Sequence, residues 1–249
     1  MEKISKKLLN IALLGYGKMG KEIEQLALQA GHHIVLIIDN EKDWEQKGYN
    51  LDKVDVAIDF SLPKTAINNI KKCFDSNLPI VVGTTGWYAD FEMVKTDCIE
   101  NNQSLFYASN FSLGVNIFSA INQKLAEIMN HFPDYDLQLS ETHHTQKLDA
   151  PSGTAISLAE SILNQMERKK TWKLVKKDEK KQADMLPIKA YRIENVPGTH
   201  EILYQSDVDE IKIIHTAKSR KGFAKGALLA AEWLHNKKGV FNMTDLLAL

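Results

Sequence analysis

The sequence predicts an α/β fold: a Rossmann-like doubly wound parallel sheet joined to a second α/β domain with a mixed, largely antiparallel sheet. Three observations carry this expectation. Short, continuously apolar runs alternate with helical patterns through the first half, as buried parallel strands and their crossover helices do. The first run opens into "GYGKMG", a G-x-G-x-x-G pattern set between a strand and a helix. After about Gly114 the rhythm changes to one long helical pattern and then to alternating, turn-separated strands.

In chain order, the apolar run Leu9 to Leu14 ends at the glycine pattern, and "KEIEQLALQAG" follows with helical spacing and a terminal Gly31. "HIVLIIDN" ends at Asp39, and "VDVAIDFS" ends at Asp59 to Ser61, with Pro63 opening the next helix. "PIVVGTTGW" ends at Gly83 to Gly86, and "SLFYASNFS" at Ser109 to Ser112. In a parallel sheet all these strand ends lie on one edge, so their Gly, Thr, Ser and Asn residues converge on one crevice. Next come the helix "GVNIFSAINQKLAEIMNHF", the alternating strand "YDLQLSETHH", and a helix entered through Pro151-Ser152-Gly153-Thr154. The basic run Lys169 to Lys181 reads as a solvated helix end and loop, because acidic residues interleave and no aromatic platform accompanies it. "PIKAYRIENVPGTHEILYQSDVDEIKIIHTA" reads as successive antiparallel strands with turns at "PG" and "DVDE". The closing helix, "GFAKGALLAAEWLHNKKG", is rich in small residues and suited to close packing on the first domain.

Bulk properties narrow the function. A chain of 249 residues has ample length for a core, and 44% hydrophobic with 25% charged residues is an ordinary globular composition. A net charge of -1 argues against nucleic acid or an anionic membrane as partner. Cys73 and Cys98 stand alone, so neither a zinc site nor a disulfide framework is expected, which fits a reducing cytoplasm. The basic then apolar start runs straight into the glycine pattern, not a cleavage site, and no apolar run approaches the roughly 20 residues of a membrane span.

Gly15, Gly17 and Gly20 permit a tight turn and close approach of a pyrophosphate, which the following helix N-terminus attracts. Asp39 ends the next strand about twenty residues on, where an acidic side chain reads the adenosine ribose. Its charge favours NADH over NADPH; Lys18 or Lys42 softens that preference. "GTTG" and "ASNF" are candidates for the nicotinamide end. The stretch "SETHHTQKLDAPSGTA" gathers a proton donor, a cation and a helix N-terminus within about a dozen residues, a combination that suits a small dicarboxylate. Each part also has a plain structural role: a core or surface histidine, a loop lysine, a helix cap at Ser152.

Together "GYGKMG", "DFS", "GTTG", "ASNFSLGVN", "ETHHTQKLDAPSGTA", "VPGTH" and "HTAKSRKGFAKGALLAAEWL" resemble, in order and over nearly the whole chain, the dihydrodipicolinate reductase (4-hydroxy-tetrahydrodipicolinate reductase) family of lysine and diaminopimelate biosynthesis. The resemblance implies a dinucleotide-binding domain over residues 1–112, completed by 222–249, and a substrate-binding, oligomerising domain over 113–221, in a homotetramer. It implies His143 and Lys147 as catalytic, and His144, Gly153 and Thr154 as substrate contacts. Gly15, Tyr16, Gly17, Lys18, Met19, Gly20, Asp39, Gly83, Thr84, Thr85, Ser109, Asn110 and Phe111 resemble cofactor contacts, with NADH or NADPH as cofactor and no metal. Two departures stand out: the glycine loop is one residue shorter than the family's common G-x-x-G-x-M-G form, and Arg192-Ile193-Glu194 stands where many members have Arg-x-Gly. Two rival readings remain open. One is another two-domain dehydrogenase of the aspartate or diaminopimelate type, which should lack the His-His-Lys element. The other is a catalytically silent NAD-binding regulator.

Overall fold

A computed structural model describes residues 7–176, 182–219 and 221–249. The chain divides into two compact units, Met1–Leu113 with Lys221–Leu249, and Gly114–Arg220. The start of the chain, the end of the basic run at 177–181 and Arg220 of the "KSRKGF" motif lie outside the described residues.

In the first unit, β1 (Asn10–Leu14), β2 (His33–Ile38), β3 (Val56–Asp59), β4 (Ile80–Val82) and β5 (Ser104–Tyr107) alternate with α1 (Lys18–Gln29), α2 (Glu41–Lys47), α3 (Pro63–Asp75) and α4 (Phe91–Glu100). The strand order is β2-β1-β3-β4-β5, and every ladder is parallel. Order reverses between β1 and β3, so the crevice expected to take a ligand opens beyond Leu14 and Asp59. The residues of β1, β3, β4 and β5 are buried on both faces, which explains why the sequence shows continuous apolar runs there without alternation; the edge strand β2 is buried only in part.

A sixth parallel strand, absent from the sequence reading, comes from the end of the chain: a three-residue run, Gly239–Phe241, pairs with β5. The helix before it, Lys221–Leu234, buries Ala224, Ala227, Ala230, Ala231 and Leu234 in the same core as Ile11, Ile58 and Phe106. Small residues are needed there. A Cβ on Gly226 would lie 1.8 Å from the Phe111 carbonyl oxygen.

The second unit contains α5 (Leu113–Met129), β6 (Asp136–His143), α6 (Gly153–Leu163), β7 (Thr171–Leu174), β8 (Met185–Arg192), β9 (Gly198–Gln205) and β10 (Glu210–Ala217), followed by α7, the Lys221–Leu234 helix of the first unit. The sheet order is β10-β9-β6-β8-β7. The sheet is mixed, but the strands are not successive neighbours. β9 pairs antiparallel with β10 and β6, whereas β8 runs parallel to both β6 and β7. The turn at Pro197-Gly198 is therefore no hairpin, because β6 inserts between β8 and β9. The basic run is also corrected. Thr171–Leu174 is an edge strand, and Lys169 is 4% exposed, its ammonium donating to the carbonyls of Ala183 and Met185 at 2.9 and 3.3 Å. Local composition could not reveal that burial, since the two acceptors lie fourteen and more residues away.

One face of this sheet packs Leu137, Leu139, Ile188, Ile202 and Tyr204 against Phe118, Ala126, Leu158 and Ile162 of α5 and α6. By strand alternation Glu141 and His143 continue the inward face of β6 past the end of that apolar row. No helix among the described residues is long and apolar enough to cross a membrane.

Candidate active site

In the first unit the glycine pattern forms a cradle. Gly15 turns the chain at φ +87°, and a Cβ on it would lie 2.4 Å from the Phe60 carbonyl oxygen. A Cβ on Gly20 would lie 2.4 Å from the Gly15 oxygen, whereas one on Gly17 would meet nothing within 4 Å. The outer two glycines thus close the turn, and the middle one leaves an open approach. Gly17 caps α1 with no side-chain bond, and the first turn carries no acidic residue, so the helix amides are available to an anion.

Around this loop lies a cleft of about 420 Å³ lined by Gly17, Lys18, Met19, Phe60, Ser61, Pro63 and Gly83 to Thr85. Gly83 has a steric reason: a Cβ there would lie 2.2 Å from the Phe60 ring. Asp39 is exposed beside the loop, and one of its oxygens accepts the Tyr16 N–H at 2.6 Å. A dinucleotide fits this donor set, with amides for the pyrophosphate and the second Asp39 oxygen for the ribose.

Two residues expected at the cofactor give their side chains to packing instead. The Thr84 hydroxyl is buried, donating to Asp59 at 2.6 Å and accepting from the Ser61 N–H at 2.8 Å. Phe111 is 2% exposed in the core. The Asn110 side-chain oxygen accepts from the Ser112 N–H at 2.9 Å, and Ser109 is exposed. Contacts from Thr84 and Phe111 to a cofactor would fall to their backbone groups. Beneath the cleft the wholly buried Asp59 accepts from Thr84, Ser61 and Asn69, and Asn69 in turn accepts from the Trp44 indole at 2.9 Å. Burial raises the Asp59 pKa, and those hydrogen bonds oppose the rise.

The second unit assembles a different site. β6 ends at His143, so His144 begins the following loop and does not occupy the opposite strand face. His143 Nδ1 bonds the Glu141 carboxylate. The other Glu141 oxygen accepts two bonds from Arg192, each at 3.1 Å. Burial lowers the His143 pKa; Glu141 pulls it up, and Lys147 and Arg192 push it down. The ring of His200 on β9 lies 5.3 Å from that of His143. Burial, with help from the neighbouring cations, pushes the His200 pKa down to about 3. Its Nε2 meets the Ser152 hydroxyl at 3.1 Å, and that hydroxyl caps α6 by accepting the Ala155 N–H at 3.2 Å.

Lys147 is held by both oxygens of Asp149 at 2.8 Å. That ion pair lowers the Asp149 pKa, but the carboxylate is exposed, so a pair of this kind contributes only about 0–1 kcal/mol and is readily displaced by another anion. His144 Nδ1 is buried with no hydrogen-bond partner among the described residues, and a Cβ on Gly153 would meet nothing within 4 Å. Gly153 and Thr154 form the first turn of α6.

Sequence reasoning missed Glu141, Arg192 and His200 as members of this cluster. One signal was present: a glutamate two residues before His143 on the inward face of an alternating strand. Glu141, His143 and His200 also present ligand atoms within 4.8 Å of one another, a set no sequence spacing announced. Arg192 already neutralises the Glu141 carboxylate, so a hydrogen-bonded cluster accounts for the geometry without an ion.

The family models and the curated relatives agree on one family along the chain. The family model "Dihydrodipicolinate reductase, N-terminus" matches residues 9–111, and "Dihydrodipicolinate reductase, C-terminus" matches residues 114–247. A 4-hydroxy-tetrahydrodipicolinate reductase of Christiangramia forsetii is 51% identical over 240 residues, covering 96% of this chain and 98% of its own. One from Staphylococcus aureus (strain MRSA252) is 35% identical over 244 residues, covering 95% and 99%. Among solved structures, a dipicolinate-bound dihydrodipicolinate reductase from Paenisporosarcina sp. TG-14 shares the fold, with a TM-score of 0.74 at 21% identity over 96% of this chain and 99% of its own.

Proposed function

The chain belongs to the dihydrodipicolinate reductase family, and from that premise we propose that it reduces 4-hydroxy-tetrahydrodipicolinate, or the dihydrodipicolinate that water loss makes from it, to tetrahydrodipicolinate, in lysine and diaminopimelate biosynthesis. The observation that carries the reading is the convergence of His143, Lys147, the orphaned His144 Nδ1 and the first turn of α6 at Gly153 and Thr154 in one unit. A core needs none of these together. A small cyclic dicarboxylate uses all of them.

The bound NAD(P)H supplies the hydride, which none of this chain's side chains can provide. We assign the dinucleotide to the first unit and the substrate to the second. Lys147 exchanges Asp149 for one substrate carboxylate, while the Gly153 and Thr154 amides and the Thr154 hydroxyl take the other. Hydride addition at ring C4 leaves an enamine, and a proton must then reach carbon. His143 provides it from Nε2: its N–H bond breaks as the new C–H bond forms, and the neutral imidazole regains a proton from solvent. Burial and two cations hold the His143 pKa low in the free protein, so the arriving dianion raises it and charges the histidine when a proton is needed. The silent-regulator reading fails to account for a proton donor and a cation kept together.

Asp39 favours NADH, its free oxygen meeting the ribose hydroxyl where a 2′-phosphate would be repelled. The sheet face of the second unit turned away from α5 and α6 carries the exposed Tyr191 and Ile214, which supports a homotetramer joined there. The buried thiols of Cys73 and Cys98 suit the cytoplasm. The test is turnover of the product of dihydrodipicolinate synthase, with NADH and NADPH oxidation followed separately. Oxidation of either, faster for NADH, is expected; none overturns the assignment. Light scattering at micromolar concentration checks the tetramer, which a monomer would refute.

A further inference from the structure

We propose that Glu141 and Arg192 are positioning residues: Glu141 holds His143 in the tautomer that carries its proton on Nδ1, and Arg192 locks that carboxylate to the loop bearing Lys147. The inference rests on the reading of His143 and Lys147 as the proton donor and the substrate cation.

Glu141 is 1% exposed and sits two residues before His143 on the same strand face. A carboxylate paired with a guanidinium accepts hydrogen bonds and donates none, so the His143 nitrogen facing it must carry a hydrogen. Nε2 is thereby left for the reacting side. Space is kept for it: a Cβ on Gly198 would lie 2.9 Å from Nε2, and glycine provides none.

Arg192 spends its donors on both halves of the site. From the end of β8 it gives two bonds to Glu141 at 3.1 Å. It also gives one bond to the Lys147 carbonyl at 3.2 Å and one to the Asp149 carbonyl at 2.6 Å. The backbone adds a further tie, Ile193 N–H to the His143 carbonyl at 2.8 Å. One planar guanidinium thus fixes the side chain that orients the histidine and the loop that presents the lysine. Lysine has three donors on one atom and cannot span those acceptors. The guanidinium also offsets the Glu141 charge, so the carboxylate orients His143 without holding it permanently protonated.

The groups acting on His143 are Glu141 on its own strand, Arg192 from β8, His200 from β9 with His215 of β10 beside it, and Lys147, paired with Asp149, from the loop. Of these, only Glu141 touches its Nδ1.

The deciding variants are Glu141→Gln, Arg192→Lys, His143→Ala and the double variant Glu141→Gln/His143→Ala, each checked for folding and NADH affinity. Glu141→Gln should lower kcat by about 10–100-fold, within the roughly 10²–10⁴-fold attached to the general acid itself, with KM little changed. Without the carboxylate that favours the protonated ring, the basic limb of its kcat–pH profile should move to lower pH. Added to His143→Ala, Glu141→Gln should cost almost nothing more, because it acts through the missing ring. Arg192→Lys should lower kcat and raise KM together, since both tethers slacken. Wild-type kcat and pH limb in Glu141→Gln, or full additivity in the double variant, would overturn the proposal. If His143→Ala turns over normally, the functional assignment fails instead, whatever Glu141 does. Nitrogen-15 NMR of the histidines in the wild-type enzyme gives a reading independent of any variant's folding. A hydrogen on His143 Nδ1 at neutral pH is expected, and one on Nε2 alone would refute the arrangement.

Discussion

The two candidate sites are built by opposite means. The cleft of the first is made of backbone: three glycines, a helix end without a side-chain cap, and small residues at strand ends. Its buried carboxylate, Asp59, meets only neutral donors, the hydroxyls and amides of Thr84, Ser61 and Asn69. The second unit uses side chains that carry charge, and its buried carboxylate, Glu141, is flanked by a guanidinium and an imidazole. A backbone cradle tolerates no added atom where its turn closes, at Gly15 and Gly20, but has little to titrate. A charged cluster has few backbone clashes to fear but depends on the charge, tautomer and donor geometry of each member. Steric substitutions should therefore damage the first site, and charge substitutions the second.

The largest effect that tests this contrast is on turnover. His143→Ala should reduce kcat by roughly 10²–10⁴-fold, Lys147→Ala should cost a similar factor, and Lys147→Arg should recover little. All three variants should melt near the wild-type temperature and bind NADH normally. Stopped-flow turnover beside a calorimetric scan checks this, and normal turnover would erase the contrast. Next in size, Gly226→Ala should destabilise the protein by about 1–3 kcal/mol, because its Cβ meets a backbone oxygen that cannot rotate away. Denaturant titration reads that loss.

Asp39 sharpens the comparison within the first site, since it holds the loop through the Tyr16 N–H and is the residue proposed to meet the ribose. Asp39→Asn keeps an acceptor for the Tyr16 N–H and loses the charge, so the NADH advantage over NADPH should shrink by about 1–3 kcal/mol. Asp39→Ala also releases the loop and should weaken both cofactors; titration calorimetry with each separates the two. The last test lies in pH dependence. The folded His200 pKa of about 3 is far below the unfolded value near 6.5. Unfolding therefore takes up a proton between those values. Stability contributed by keeping His200 neutral is complete above about pH 6.5 and is lost as pH falls toward 3, by at most about 1.4 kcal/mol per pH unit. His200→Gln should flatten that slope in melts from pH 7 to 4; an unchanged slope would mean that His200 is not its source.

Much of the fold was legible because periodicity is local. The five strands of the first sheet, the Pro63 and Ser152 helix entries and the three glycines were each readable within a window of a dozen residues. The His143–Lys147 cluster was legible for the same reason, being one continuous stretch. Partnership across the chain was not. Gly239–Phe241 is three residues long and becomes a strand only because β5 offers an open edge. β8 lies beside β6 and not β9, since sheet order depends on which buried faces match, not on which strands follow each other. Lys169 reads as solvated until its carbonyl acceptors fold over it.

What the sequence determined by itself, then, is whatever short-range chemistry enforces: strand and helix periods, the positive-φ turn at Gly15 and the clustering of donor groups around His143. What only the tertiary structure decided is how those donors are aimed. Glu141, Arg192 and His200 come from three strands that are distant in sequence and adjacent in the sheet, and they fix the tautomer, charge and orientation of one histidine. A tautomer is set by what lies within about 3 Å of each ring nitrogen, and which groups lie there is a property of packing, which no local pattern encodes.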